Sequence, residues 1–128
     1  MPYIIDTNVA IQLRDGDPSV RAKVDALDDI ILLSIVSRVE LEGGVQQGRP
    51  QAALRRARLD LLFAGLPVVP FESADADAYR DIVAATGYSR RKLLDRMIAA
   101  QALVHRATLV TMNPSDFADV PGLDLVAW

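Results

Sequence analysis

Five short apolar runs punctuate the chain, and polar stretches with helical spacing lie between them. They are Tyr3-Ile4-Ile5, Ile30-Ile31-Leu32-Leu33-Ser34, Val68-Val69 between two prolines, Thr108-Leu109-Val110-Thr111, and residues 123–127. Such runs are too short for helices and read as strands buried on both faces, the kind found in parallel sheets.

The intervening stretches predict helices over 9–14, 18–27, 51–63, 73–85 and 91–105. Asp15-Gly16-Asp17-Pro18 breaks the first, with Asp17 as the next N-cap and Pro18 in the first helical position. Ser37-Arg38-Val39-Glu40 fits a capping box, in which Glu40 reaches back to the cap. Gly43-Gly44 suggests a close backbone approach, and Gly48-Arg49-Pro50 a turn. Arg55, Arg56 and Arg58 make the 51–63 helix basic outside. Ser73 is expected to cap the next helix, with Asp75, Asp77 and Asp81 facing solvent and Gly87 as the stop. Trp128 is expected to pack over a sheet edge. Strand and helix alternate throughout, without repeats or a linker. That predicts a single α/β domain over residues 1–128, built on a mostly parallel sheet.

Composition narrows the function. Half of the residues are hydrophobic, which argues against disorder. Neither a membrane-spanning apolar run nor a secretory leader is seen. With no cysteine, disulfides, zinc–thiolate sites and thiol catalysis are excluded, and a cytoplasmic location is expected. One histidine, His105, excludes a two-histidine metal site. The net charge is −3, from 14 basic and 17 acidic side chains. Nucleic-acid contact through overall charge is thereby excluded; it would need a bound cation or a local patch such as Arg90-Arg91-Lys92.

Four acids carry the candidate chemistry. Asp6 ends the first strand, at the sheet edge where ligands bind in open α/β folds, yet an Asp there also caps a helix. Glu40 is either half of a capping box or part of a site. Asp95 lies beside an apolar stripe of Leu94, Met97, Ile98 and Ala102, which is costly for a carboxylate unless a partner such as Arg91 pairs with it. Asp116 and Asn113 lie just past the fourth strand, in turn chemistry. If the four acids converge, each close pair at about 5 Å and an effective dielectric of about 20 repels by roughly 3 kcal/mol. Raised pKa values or a bound cation would then be required. An all-oxygen set suits Mg²⁺ or Mn²⁺, and such clusters serve phosphodiester hydrolysis.

Ile5-Asp6-Thr7-Asn8, Glu40-Leu41-Glu42-Gly43-Gly44, Asp95-Arg96-Met97-Ile98-Ala99-Ala100 and Thr111-Met112-Asn113-Pro114-Ser115-Asp116-Phe117 occur in this order along the chain. Together they resemble the PIN-domain family, and more closely the VapC-type toxin ribonucleases of bacterial toxin–antitoxin pairs. The resemblance implies a three-layer PIN-like fold with strand order 3-2-1-4-5. It also implies that Asp6, Glu40, Asp95 and Asp116 hold one or two Mg²⁺ or Mn²⁺ ions as catalytic and metal-binding residues, with Glu42 an alternative to Glu40. Thr7, Ser37, Thr111 and Asn113 would support them, and Arg90, Arg91 and Lys92 could contact RNA. The implied activity is a metal-dependent endoribonuclease in a homodimer, blocked by a cognate antitoxin. The alternative is a non-catalytic binding subunit acting through an antitoxin or operator complex. A receiver domain would want an Asp ending the third strand and a late Lys. A dehalogenase-type phosphatase would want a second carboxylate in Asp6-Thr7-Asn8. Neither is present.

Overall fold

The five runs form the strands β1 (Tyr3–Ile5), β2 (Ile31–Ser34), β3 (Val68–Val69), β4 (Thr108–Thr111) and β5 (Leu125–Ala127). This is a computed structural model, and it describes residues 1–47 and 50–128, so Gly48 and Arg49 of the expected turn lie outside the described residues. The helices are α1 (Thr7–Arg14), α2 (Pro18–Asp25), α3 (Ile35–Gln47), α4 (Ala52–Gly65), α5 (Ser73–Thr86) and α6 (Leu93–Val104), and a 3-10 turn covers Pro114–Asp116. All strand pairs are parallel, and the order is β3-β2-β1-β4-β5, the one the resemblance implies.

Strand alternation divides the core between the two faces of the sheet. Ile4, Leu32 and Leu109 pack with Ile82 of α5 and with Ile98, Ala99 and Ala102 of α6. Ile5, Leu33 and Val110 pack on the other face with Val9, Val20, Leu41, Leu59 and Leu62. Both faces are therefore covered, which explains why the strands are apolar throughout rather than alternating. Trp128 joins the second cluster at the β5 edge, its N–H donating to Thr111 O at 2.9 Å and Lys23 lying 5.8 Å from its ring centre.

Several helix starts differ from the local signals. Pro18 does open α2, and Asp17 accepts from Val20 N at 3.1 Å as expected. However, α3 leaves β2 directly at Ile35, ahead of the expected capping box. Ser34 Oγ accepts from Val36 N at 3.0 Å, and burial of Val36 draws this turn into the core. The cap of α5 is Glu72 rather than Ser73; its N–H donates to Asp75 Oδ2 at 2.7 Å, and Asp75 is buried rather than solvent-facing. Gly87 does stop α5, at φ 87°, a conformation that favours glycine. The glycine pair in α3 serves no close approach. Among the described residues, a Cβ at Gly43 would meet nothing within 4 Å, and one at Gly44 only the Arg14 guanidinium at 3.9 Å.

Candidate active site

The chain runs outward from β1 to β2 and β3, then crosses back to place β4 on the other side of β1. The carboxyl ends of β1 and β4 are thus the topological switch point, where open α/β sheets bind ligands. Asp6 sits there and is both things its position allowed. As N-cap of α1 it accepts from Thr7 N at Oδ1, 2.8 Å, and its Oδ2 accepts from the Thr111 hydroxyl at 2.8 Å. Burial pushes its carboxyl above the usual range. The Thr111 and Thr7 hydrogen bonds oppose that shift, and the neighbouring Asp116 charge adds to it.

Thr7 joins α1 to α3. Its hydroxyl donates to Glu40 Oε1 at 2.8 Å and lies 2.8 Å from Ser37 Oγ, which is fully buried. Glu40 therefore faces Asp6 across the α1 N-terminus instead of closing a capping box. Glu42 points to a different neighbourhood, where Arg56 holds its carboxyl below the usual carboxylate range.

Asp95, in the first turn of α6, completes the approach. Its carboxyl is pushed up to about 6, first by burial and then by the charges of Asp6, Asp116 and Glu40, with Lys92 opposing. Arg91 is exposed and forms no ion pair with Asp95. Asp116 ends the 3-10 turn and is half-buried. Among the described residues, none of Asp6, Glu40, Asp95 and Asp116 has an ion-pair partner, whereas Asp15, Asp29, Glu42, Asp60, Asp77, Asp81 and Asp119 each have one.

The supporting residues differ in depth. Thr111 is buried, and besides serving Asp6 it accepts from Asn113 N at 3.0 Å. The Asn113 side chain is exposed. Arg90 and Arg91 are exposed on the turn leading into α6, while Lys92 is its N-cap and stands 3.8 Å from Asp119. Within α6, the buried polar residues Gln101 and Arg96 escaped the pattern. Gln101 hydrogen-bonds Ser34 Oγ and donates to Val69 O at 3.2 Å and Pro70 O at 3.0 Å, fastening α6 across β2 and β3. Arg96 is buried beside Asp95. Each sits in an otherwise apolar helix, and a polar residue in such a stripe was the available signal.

The donor chemistry fits a divalent cation. The converging side chains offer carboxylate and hydroxyl oxygens, among the described residues none of the four acids has an ion-pair partner although Lys92 eases the charge at Asp95, and a bound ion would relieve the charges of Asp6, Asp116 and Glu40 that act on Asp95. Among the described residues, no three acidic or histidine side chains stand close enough together to hold one ion as they are. The cleft is therefore an acidic site rather than a finished coordination sphere.

Comparison with known proteins places this geometry. The chain is 26% identical to Ribonuclease VapC2 of Rickettsia felis, over all of this chain and 98% of the relative. Its fold matches the crystal structure of VapBC2 from Rickettsia felis bound to a promoter DNA fragment, with TM-score 0.88 and 24% identity over 100% of this chain and 99% of the other. It also matches VapBC-1 from nontypeable Haemophilus influenzae, with TM-score 0.81 and 25% identity over 100% and 98%. Residues 3–123, a span that takes in β1–β4, all six helices and all four cleft acids, match the PIN domain family, and the chain belongs to the PIN domain family.

Proposed function

We propose that the protein is a metal-dependent endoribonuclease, the toxin of a toxin–antitoxin pair. The observation that carries this reading is the set of four carboxylates at the carboxyl edge, without ion-pair partners among the described residues and with Asp95 raised to about 6. The ribonuclease relative and the likeness to VapC-type toxins support it.

Asp6, Glu40, Asp95 and Asp116 would hold one or two Mg²⁺ or Mn²⁺ ions. Such an ion supplies Lewis acidity toward a phosphodiester and makes a water nucleophilic at neutral pH. The chain's own residues do the orienting. Thr111 fixes Asp6 through Oδ2, and Thr7 fixes Glu40 through Oε1, so two carboxylates from different elements are aimed before substrate arrives. A carboxylate of the cleft would accept the proton given up by the attacking water. Arg90, Arg91 and Lys92 at the head of α6 would meet RNA phosphates on the rim. A homodimer, and an antitoxin whose segment blocks the cleft, complete the reading.

The test is cleavage of total RNA by the purified protein with Mg²⁺ or Mn²⁺, beside EDTA and Asp95→Asn controls. Discrete fragments lost in both controls are expected. Cleavage that survives EDTA would refute metal dependence, and absence of both cleavage and metal binding would favour a non-catalytic binding subunit.

A further inference from the structure

One buried cation holds the junction that carries α6 into the cleft. Arg96 follows Asp95 in the first turn of α6 and is 2% exposed. Its guanidinium donates to Thr86 Oγ1, to Gly87 O at 2.7 Å and to Asp119 Oδ2 at 3.1 Å. The Thr86 hydroxyl in turn donates to Ile82 O at 2.8 Å. Three segments meet on this one side chain: the end of α5, the start of α6, and the turn after the 3-10 helix. Asp119 lies three residues beyond Asp116 on that turn, between the buried Phe117 and Val120.

A brace between these segments could have been apolar. Burying a guanidinium is costly, and among the described residues Arg96 Nε has no hydrogen-bond partner. What the planar fork adds over an apolar contact is direction, because it fixes acceptors from two segments in relation to the helix that carries it. Asp95 and Asp116 ride on the two segments joined by the Arg96–Asp119 pair. Lys92 is the cation that eases the Asp95 charge, and Arg96 contributes by placement.

We infer that Arg96, braced by Asp119, is a positioning residue that sets the separation of Asp95 and Asp116 across the cleft. This rests on the reading of those carboxylates as ligands of a divalent cation. It predicts a loss of metal affinity out of proportion to any loss of stability, as for outer partners of metal ligands in general.

Asp119→Ala is the decisive variant, because the Asp119 side chain is 43% exposed and Arg96 keeps Thr86 and Gly87 when it is removed. Mn²⁺ titration calorimetry and melting in EDTA are run on wild type, Asp119→Ala and Asp119→Asn. The expected result is about tenfold weaker Mn²⁺ binding for Asp119→Ala, with a nearly unchanged melting temperature. Asp119→Asn keeps an acceptor for Arg96 and should restore part of the affinity. Cleavage by Asp119→Ala should recover with excess Mn²⁺. Equal Mn²⁺ affinity in wild type and Asp119→Ala would overturn the inference while leaving the metal site standing. A large fall in melting temperature, with no recovery of affinity in Asp119→Asn, would also overturn it, since Asp119 would then be structural only. A wild type that binds no Mn²⁺ would remove the metal reading, and this inference with it.

Discussion

Glu40 and Glu42 sit two positions apart on α3, yet they belong to regions with opposite electrostatics. Glu42 lies on the α3–α4 face, where Arg56 binds it and also reaches Asp60 at 2.6 Å, with Arg38 at 3.7 Å. Every acid in that group has a cation. Glu40 turns into the cleft, where its charge acts on Asp95 together with those of Asp6 and Asp116, and among the described residues its one hydrogen-bond partner is the neutral Thr7 hydroxyl. The α3–α4 face is complete in itself, while the cleft carries repulsion that no described side chain removes. A charge cluster of the first kind is surface chemistry worth little to stability. One of the second kind is held in place by the rest of the fold and invites a ligand.

Exchanging charge for amide in each region is the harshest test of this contrast. Asp6→Asn and Glu40→Gln should each lower RNA cleavage by about 100-fold or more, because each removes charge where a cation would sit. Asp6→Asn keeps an acceptor oxygen for Thr7 N, so circular dichroism should show an intact fold. Glu42→Gln should leave cleavage within about threefold of wild type, since rim ion pairs of this kind contribute little. If Glu42→Gln is the inactive variant and Glu40→Gln is not, the comparison is inverted.

Metal addition comes next in size. At about 100 times the dissociation constant, Mg²⁺ or Mn²⁺ should stabilise the protein by about 2.7 kcal/mol, visible as a rise in melting temperature that EDTA reverses. The increment should largely vanish in Glu40→Gln and persist in Glu42→Gln.

The pH response is smaller and has a definite sign. Asp95 has an ordinary value of 3.8 and stands at about 6 when folded, so the folded state binds protons more tightly than the unfolded chain. Its contribution is fully present below about 4 and is lost as pH rises through 6. In EDTA the stability should therefore rise on acidification from pH 7.5 to 5.5, by on the order of 1 kcal/mol once solvent screening of a half-exposed group is allowed for, and the melting temperature should rise with it. Saturating Mg²⁺ should reverse that slope, because the ligands must be deprotonated to bind it. The same slope with and without metal would count against Asp95 as a ligand.

Much of this was legible from local pattern. Each strand was visible because a strand covered on both faces must be apolar along its whole length, and Ile4 and Ile5, which feed opposite cores, show why. Asp17-Pro18 opened a helix as such pairs do. Ser37 misled because a capping box is a local signal, and here the strand-to-helix junction and burial of Val36 overrode it. Along α4, Leu54 and Leu61 are exposed while Leu59 and Leu62 are buried, since helical spacing alone does not say which side meets the sheet. Arg96 and Gln101 stood out only as polar residues in an apolar helix; what they bind was not legible, because their partners lie on other elements.

The sequence by itself determined the alternation of elements, the absence of thiol and two-histidine chemistry, and four acids carried in motifs that resemble one family. Only the tertiary structure decided that Asp6 is at once cap and cleft residue, that Glu40 rather than Glu42 faces it, and that Asp95 stays unpaired beside them. The reason is one of range. Strand and helix propensities act over a few residues and are written locally. The field at a carboxylate depends on which distant residues the crossover from β3 to β4 brings within a few ångströms, and only the folded chain specifies that.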